Sequence, residues 1–307
     1  MSGRSLDSAP PSNESSPPEP LAHWGSPGDH ECANGRFSLV VAADTVQRVA
    51  TYLDRIVAAH RKDADADRRA LTSLRRLCDD QPPTRGFRAA VASATELVVI
   101  AEIKRRSPMK GDLFIDLDAA DLAMTYEDAG AACLSVLTDA EFFGGSVGDL
   151  RAARAVTSLP VLRKDFTVAA RDVLDARLMG ADCVLLIAAV LSRRELADFH
   201  AMAIGIGLDV LVEIHDEADL DTALAAGATL VGVNQRDLAT FEVDHERAVR
   251  IAPLIPDHVV KVAESGVRGP DDARALADAG YDAVLVGETL VTAADPYQTL
   301  LALKGGV

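Results

Sequence analysis

Short apolar runs alternate with amphipathic segments over the last two thirds of the chain. Eight runs rich in Val, Ile and Leu have the length of buried parallel strands. They cover residues 98–104, 132–137, 160–166, 183–189, 209–215, 230–234, 259–265 and 283–287. Between them, helical spacing of apolar positions predicts helices, for example over 169–179, 216–226 and 270–279. Strict alternation of strands and helices predicts a parallel sheet that is covered by helices.

Four predicted helices end in similar short sequences that contain Gly130, Gly180, Gly227 and Gly280. Glycine suits a left-handed helix terminator because it has no Cβ, and the next strand begins within a few residues. The sequences recur about every fifty residues, which is one βαβα unit. No G-x-G-x-x-G loop follows the first strand, so an open dinucleotide-binding sheet is disfavoured. The pattern predicts an α/β fold, a single (β/α)8 TIM barrel with an N-terminal helical extension.

The N-terminal part of the chain differs in composition from the rest. Residues 1–44 are rich in Pro, Ser, Gly and acidic residues, which predicts a disordered tail. Residues 45–63 carry apolar side chains on one helical face, a polar helix follows to about Cys78, and 87–92 form a further short helix. We therefore predict one catalytic domain over 45–307, divided into a helical extension (45–96) and the barrel (97–307).

The charge balance excludes several kinds of partner. The 307 residues carry a formal net charge of −16, which disfavours nucleic acid and anionic membrane surfaces. The sequence shows no secretory leader and no apolar span of membrane length, so we expect a cytoplasmic protein. The four cysteines lack C-x-x-C spacing, and Cys133 and Cys183 are predicted to be core residues at strand starts. Six scattered histidines are predicted to be solvated surface residues: His23, His30, His60, His200, His245 and His258.

Charged side chains occur at the carboxyl ends of the predicted strands, where active sites of such barrels form. Strand alternation directs Glu102 and Lys104 to one face of strand one, and Lys164 to the same side as Leu162 and Phe166 on strand three. Strands five and six end near Glu213 and Asn234. A single Lys–Glu pair could equally be an ion pair that closes the barrel top. Five such residues together favour function, because charges in a barrel interior are costly.

Small residues end strands seven and eight, where exposed backbone N–H groups can bind a phosphate without a basic surface. The small residues are Ser265, Gly266 and Gly287, and Glu288 beside them is also predicted to bind substrate, although the glycines alone could simply allow tight turns. The loop after strand one adds Ser107 and Pro108 to the predicted substrate site, and its cations Arg105, Arg106 and Lys110 either reach the same anion or remain solvated.

Three further residues near strand ends are ambiguous. Arg236 could contact substrate or form a salt bridge that fixes its loop. Phe143 could face an aromatic substrate or pack in the core. His215 lies two residues beyond Glu213, and we favour a loop-anchoring role for it over a proton shuttle.

From about Val46 to its end the chain resembles the indole-3-glycerol phosphate synthase family. The matching segments are 101–108 (AEIKRRSP) with Lys110 and Gly111, 142–146 (FFGGS), 162–166 (LRKDF), 212–216 (VEIHD), 232–238 (GVNQRDL) and 263–266 (AESG). The resemblance implies closure of an indole ring from 1-(2-carboxyphenylamino)-1-deoxyribulose 5-phosphate, with loss of carbon dioxide and water. It implies no cofactor and no metal, and we predict no obligate protein partner.

The resemblance also implies roles for individual residues. Lys164 is similar to the family's general acid, Glu213 to a base in the dehydration, and Lys104 to a second lysine that holds the carboxylate. Glu102 and Asn234 resemble the family's orienting residues. Its phosphate site is resembled by Ser107, Ser265, Gly266 and Gly287. How the two lysines divide the proton transfers stays open. The alternatives are another phosphate-binding barrel, such as phosphoribosylanthranilate isomerase, and a catalytically silent paralogue.

Overall fold

Eight parallel strands close into a barrel. The computed structural model describes residues 51–107, 110–237, 240 and 242–305. Its strands are β1 Val98–Ile103, β2 Arg106–Ser107, β3 Gly111–Asp112, β4 Cys133–Leu137, β5 Val161–Lys164, β6 Cys183–Ile187, β7 Asp209–Ile214, β8 Leu230–Asn234, β9 Val260–Glu264 and β10 Ala283–Val286. The barrel order is β1-β10-β9-β8-β7-β6-β5-β4, and β4 pairs with β1 to close it. This confirms the predicted fold, and each predicted barrel strand agrees with the structure to within two residues.

The small hairpin of β2 and β3 lies on the loop after β1 and was not predicted. Helices connect the barrel strands and surround them, and three helices precede β1. They are α1 Tyr52–Ala66, α2 Leu71–Asp79, α3 Phe87–Ala92, α4 Ala119–Asp128, α5 Val147–Val156, α6 Ala170–Met179, α7 Arg193–Ile204, α8 Glu217–Ala225, α9 Arg247–Ile251, α10 Pro270–Asp278, α11 Glu288–Val291 and α12 Pro296–Gly305. Within the described ranges, no helix combines the length and apolar character needed to cross a membrane.

The start of α1 is set by a capping box. The Thr51 hydroxyl accepts the Asp54 backbone N–H, and the Asp54 carboxylate accepts the Thr51 backbone N–H. Thr51 itself has an extended backbone, so the helix begins at Tyr52. The predicted earlier start at residue 45 and the predicted disordered tail, residues 1–44, lie outside the described residues.

The four predicted helix terminators have left-handed backbones. Gly130, Gly180, Gly227 and Gly280 have φ angles of 83°, 96°, 87° and 88°. Each of them ends a helix just before the next strand, as the repeated sequences indicated. The repeats therefore mark the joints of successive βα units.

Apolar side chains fill the lower half of the barrel interior. Ile100, Leu162, Leu211 and Val262 belong to this interior cluster, which Phe87 of α3 caps from the amino-terminal end of the strands. Cys133 and Cys183 are also buried there as the first residues of β4 and β6, as predicted. At the carboxyl ends of the same strands, charged side chains replace this packing.

Two of the predicted surface histidines are not on the surface. His200 is buried on α7, and His60 is partly buried between α1 and the barrel mouth. Both lie on amphipathic helices whose inner faces cover the barrel, a position that residue type alone does not reveal. His258 is exposed as predicted, His245 is half-buried beside a cavity, and His23 and His30 lie outside the described residues.

Candidate active site

A cavity of about 390 Å³ opens at the carboxyl ends of the barrel strands. This volume suits a small organic ligand. Its walls contain every predicted site residue within the described ranges: Glu102, Lys104, Ser107, Phe143, Lys164, Glu213, Asn234, Arg236, Ser265, Gly266, Gly287 and Glu288. Pro108, which was also predicted, lies outside the described residues.

The ammonium group of Lys164 lies at the centre of a buried charge cluster. Its Nζ donates to Glu213 Oε2 at 2.8 Å and to Glu264 Oε2 at 2.5 Å. Glu213 Oε1 also accepts a hydrogen bond from Asn234 Nδ2 at 2.9 Å. One lysine on β5 therefore joins carboxylates from β7 and β9, and Asn234 on β8 orients one of them.

Electrostatics separates the two carboxylates that share Lys164. Burial alone would raise the pKa of Glu213, but Lys164, His215 and the hydrogen bonds outweigh it and hold that pKa below its usual value. For Glu264, burial and the charges of Glu213 and Glu102 prevail over Lys164 and raise the pKa to about 7. Near neutral pH the cluster thus offers one ionised carboxylate and one that exchanges its proton readily.

Lys164 remains cationic in this setting. Burial by itself would lower its pKa, but the nearby carboxylates Glu213, Glu264 and Glu102 raise the pKa above the ordinary lysine value. A cationic ammonium that loses one carboxylate contact to a substrate oxygen can donate its proton there. The arrangement therefore suits a general acid.

A second ion pair lies on the first strand. Lys104 Nζ and Glu102 Oε1 are 2.9 Å apart, and the Ser135 hydroxyl donates to Glu102 Oε2 at 3.4 Å. Gly287 faces this carboxylate so closely that a Cβ there would overlap Glu102. A small residue at 287 is thus needed to keep Glu102 in the cavity wall.

Glu264 is a site residue that the sequence prediction missed. The prediction used the segment 263–266 only for its small residues at the phosphate loop. Strand alternation contained the missing signal, since Val260 and Val262 face the barrel interior and Glu264 continues that face. Gly232 on β8 makes room for it, because a Cβ at that position would overlap the Glu264 carboxylate.

The predicted phosphate loop has an unusual backbone. Ser265 is the one non-glycine residue with a positive φ in the described part of the chain, at 65°, and Gly266 follows at 76°. A Cβ on Gly266 would lie 2.6 Å from Val243 Cγ1, so the loop passes close to its neighbour. The Ser265 carbonyl accepts Gln235 Nε2 at 2.8 Å, which holds the turn. Strained backbone of this kind concentrates at ligand sites.

The cations on the loop after β1 do not all face the cavity. Arg105 is bound to Asp149 and to the Ile115 carbonyl, and Arg106 is paired with Asp112. These two arginines therefore form structural ion pairs and do not line the cavity. The sequence had left open whether they would contact the anion. Ser107 and Lys110 do line the cavity, and Lys110 is paired with Glu288 across its rim.

The three ambiguous residues have distinct environments. Phe143 lines the cavity, and its ring centroid is 6.2 Å from that of Phe166. Arg236 also lines the cavity, and its backbone N–H donates to Asn234 Oδ1 at 3.0 Å. His215 anchors its loop through a backbone N–H bond to Asp219, but its Nε2 also lies 3.5 Å from Glu213 Oε1. The histidine thus contributes to the potential at Glu213.

Comparisons with known proteins identify the family of the chain. A family model described as indole-3-glycerol phosphate synthase matches residues 53–303. An indole-3-glycerol phosphate synthase of Parafrankia sp. (strain EAN1pec) is 51% identical over 229 residues, which cover 75% of this chain and 85% of the relative. One from Nocardioides sp. (strain ATCC BAA-499 / JS614) is 49% identical over 260 residues, covering 82% and 98%.

A solved structure supports the fold alone. Thiamine phosphate pyrophosphorylase from Pyrococcus furiosus superposes with a TM-score of 0.51 at 16% identity, over 68% of this chain and 94% of that one. At this identity the likeness concerns the barrel and not its chemistry. The family model, in contrast, extends over the strands that carry Lys164, Glu213 and Glu264. The chain belongs to the indole-3-glycerol phosphate synthase family.

Proposed function

We propose that this chain closes the indole ring of 1-(2-carboxyphenylamino)-1-deoxyribulose 5-phosphate to give indole-3-glycerol phosphate. The family is one of lyases of tryptophan biosynthesis, and the reaction releases carbon dioxide and water. The observation that carries the proposal is the Lys164 ammonium, which is held between Glu213 and Glu264 inside a cavity of suitable size. A general acid and a carboxylate base are the two groups that this chemistry requires.

We assign the first proton transfer to Lys164. The ring carbon that bears the carboxylate attacks the ribulose carbonyl carbon, and the carbonyl oxygen takes a proton from the Lys164 ammonium. The bond to the carboxyl group then breaks, carbon dioxide leaves, and its electron pair restores the aromatic ring. Lys104 is suited to hold the substrate carboxylate beforehand, because its ammonium lies on the same cavity wall.

The dehydration needs a base and a proton donor. Glu213 is the ionised carboxylate of the pair, so we assign to it the proton whose removal completes the pyrrole ring. The hydroxyl group formed in the first step leaves as water after it receives a proton from a lysine ammonium. Glu264, which holds a proton up to about pH 7 and contacts Lys164, is placed to return one to that lysine.

The remaining predicted residues would bind and orient the substrate. Ser265, Gly266 and Gly287 at the ends of β9 and β10 offer a neutral, backbone-lined position for the phosphate, and Ser107 adds a hydroxyl from the facing loop. Phe143 and Phe166 form an aromatic wall of the cavity on the β4 and β5 side. We therefore place the anthranilate ring against that wall and the phosphate near Ser265.

The competing functions are less well supported. An isomerase of phosphoribosylanthranilate would use the phosphate loop but has no evident use for a lysine bound by two buried carboxylates. A catalytically silent paralogue is disfavoured, because Lys164 and Glu213 are both present and in contact.

We further propose that the chain works in the cytoplasm on this small phosphorylated substrate, without nucleic acid, membrane or an obligate protein partner. The net charge of −16 opposes binding to other polyanions. Cys78, Cys133 and Cys183 are free thiols, which agrees with a reducing compartment.

The test is turnover of the proposed substrate by the purified chain. We expect indole fluorescence and released carbon dioxide to rise in equal amounts. Glu213→Gln should lower kcat by about 10²- to 10⁴-fold, the usual contribution of a catalytic base. The matched control Glu217→Gln, at an exposed position on α8, should retain activity. A folded wild-type protein that releases no carbon dioxide but isomerises phosphoribosylanthranilate would overturn the proposal.

A further inference from the structure

His60 extends from α1 into the barrel mouth, where it meets two buried carboxylates. Its Nε2 lies 2.9 Å from Asp139 Oδ2 and 3.8 Å from Asp165 Oδ1. Asp139 and Asp165 follow the carboxyl ends of β4 and β5, and both line the cavity. His60 therefore joins a helix of the N-terminal extension to the rim of the active site.

Asp139 transmits this contact to the wall of the cavity. While Oδ2 is bound to His60, Oδ1 accepts the backbone N–H groups of Phe142 and Phe143 at 2.6 Å and 2.9 Å. One carboxylate thus holds α1 with one oxygen and the loop that carries Phe143 with the other. Tyr52 on α1 packs edge-on against the Phe142 ring at 5.9 Å, so the helix meets this loop twice.

The His60 imidazole ring also packs against Phe166, the second aromatic residue of the cavity wall. Its centroid is 5.4 Å from that of Phe166, whose ring is in turn 6.2 Å from Phe143. Both phenylalanines line the cavity, whereas His60 is absent from its wall. The histidine is therefore placed to set the position of the aromatic wall without touching a ligand.

The charges around His60 favour its protonated form. Burial opposes the charge, but the hydrogen bond to Asp139 and the charges of Asp165 and Asp139 outweigh burial and the opposing charge of Arg163, and the pKa of His60 is raised. A raised pKa means that the charge on the His60 ring, and with it the charge-assisted strength of the Asp139 contact, is complete below the ordinary histidine value and is lost as pH rises through the pKa in the folded protein.

A metal ion is a less suitable occupant of this cluster. The three ligand atoms lie within 4.8 Å of one another, a spacing that a cation could use. Asp165 Oδ2, however, is already bound to Arg163 and Thr138, and Asp139 Oδ1 is bound to two backbone N–H groups. Asp165 Oδ1 accepts the Phe166 backbone N–H, and a proton on His60 Nε2 satisfies Asp139 Oδ2 without breaking any of these bonds.

We propose that His60 is a positioning residue, which in its protonated form fastens α1 to Asp139 and Asp165 and so holds Phe143 and Phe166 where the aromatic ring of the substrate binds. This inference rests on the proposed function for the identity of that substrate. It makes substrate affinity decline with rising pH, through a group that does not contact the substrate.

The test compares KM and kcat of the wild type, His60→Gln and His60→Lys between about pH 6 and about pH 9. Below the pKa of His60, loss of a charge-assisted hydrogen bond should raise KM of His60→Gln roughly tenfold, with a smaller change in kcat. The ratio of the His60→Gln KM to the wild-type KM should then fall towards one as pH rises. His60→Lys keeps a cation at high pH, so its KM should stay low where that of the wild type has risen. His258→Gln, at an exposed loop position, should follow the wild type throughout.

Direct binding of 2-aminobenzoate, the aromatic part of the substrate, separates this inference from the proposed function. If turnover is absent but the affinity for this probe depends on His60 and pH in the same way, the positioning role stands and the reaction assignment fails. A wild-type to His60→Gln ratio of KM that is constant with pH would overturn the inference. So would a KM of chelator-treated wild type that falls on addition of Mn²⁺ or Zn²⁺, with no such response in His60→Gln.

Discussion

The two ends of the barrel differ in how completely their buried polar and charged groups are hydrogen-bonded. At the amino-terminal end, three aspartates beside strand starts accept hydrogen bonds from backbone N–H groups: Asp182 binds Arg85 and Val161, Asp209 binds Arg88, and Asp282 binds Lys261. Asp182 also pairs with Arg154, so both of its oxygens are satisfied. These aspartates fasten the α3 region and neighbouring strands to the bottom of the barrel.

At the carboxyl end, some buried polar groups have no hydrogen-bond partner and others share one. Glu264 Oε1 and both side-chain nitrogens of His215 have no hydrogen-bond partner among the described residues. Two carboxylates compete for Lys164, and the backbone at Ser265 has a positive φ. Unsatisfied groups and strain lower stability, and their concentration at one end of a fold is typical of a site for binding and chemistry.

The largest stability effect should come from the saturated end. Asp182→Asn places an amide donor against one of the two backbone N–H groups and removes the charge that faces Arg154, which should cost about 3–5 kcal/mol of unfolding free energy. Chemical denaturation measures this cost, and kcat per folded molecule should not change. Asp271→Asn, at an exposed position, is the control and should shift stability by less than about 0.5 kcal/mol. A loss of kcat without loss of stability would contradict the division between the two ends.

A smaller effect on the unfolding free energy is expected from the protonation of Glu264. Its pKa is raised from 4.5 to about 7, so its contribution favours the folded state below pH 4.5 and is lost as pH rises through 7. Glu264→Gln removes this dependence. Between about pH 5 and about pH 8, the wild type should lose roughly 2 kcal/mol of unfolding free energy relative to the variant. Parallel stability curves for the two proteins would show that Glu264 is ionised throughout.

The smallest effect concerns the strained turn. Ser265→Gly removes a Cβ from a residue at φ 65° and should raise the unfolding free energy by up to about 1 kcal/mol. The same change removes a hydroxyl group from the phosphate loop, so KM should rise. Ser93→Gly, at a residue with φ −81°, is the control and should not stabilise the protein. If Ser265→Gly is destabilising, the turn is not strained.

Much of this architecture could be predicted from the sequence, because the barrel depends on periodic patterns. Strand runs, helix-ending glycines and the parity that directs Lys164 and Glu213 inward are all local features. Gly180 illustrates this, since its place at the end of a helical pattern was enough to predict its left-handed backbone.

What could not be predicted depends on contacts between distant segments. His60 was expected to be solvated because it is one of several histidines scattered over predicted helical and loop segments, and its partner Asp139 lies 79 residues away. The sequence left Arg105 open as an anion contact or a solvated charge, and in the fold it is paired with Asp149, 44 residues away. Glu264 is a different case, because strand alternation already predicts that its side chain faces the barrel interior. The sequence prediction considered only the small residues that follow it.

The most direct test of the account is to measure kcat and unfolding free energy together for Lys164→Met. Methionine fills similar space without the ammonium, and the carboxylates it leaves behind can take up protons instead of staying charged. We therefore predict that kcat falls about 10²- to 10⁴-fold while the protein stays folded and loses at most about 3 kcal/mol of unfolding free energy. Asp182→Asn measured alongside should show the opposite pattern. If Lys164→Met instead retains kcat within about tenfold, Lys164 is not the acid, and the charge cluster at the carboxyl end is structural.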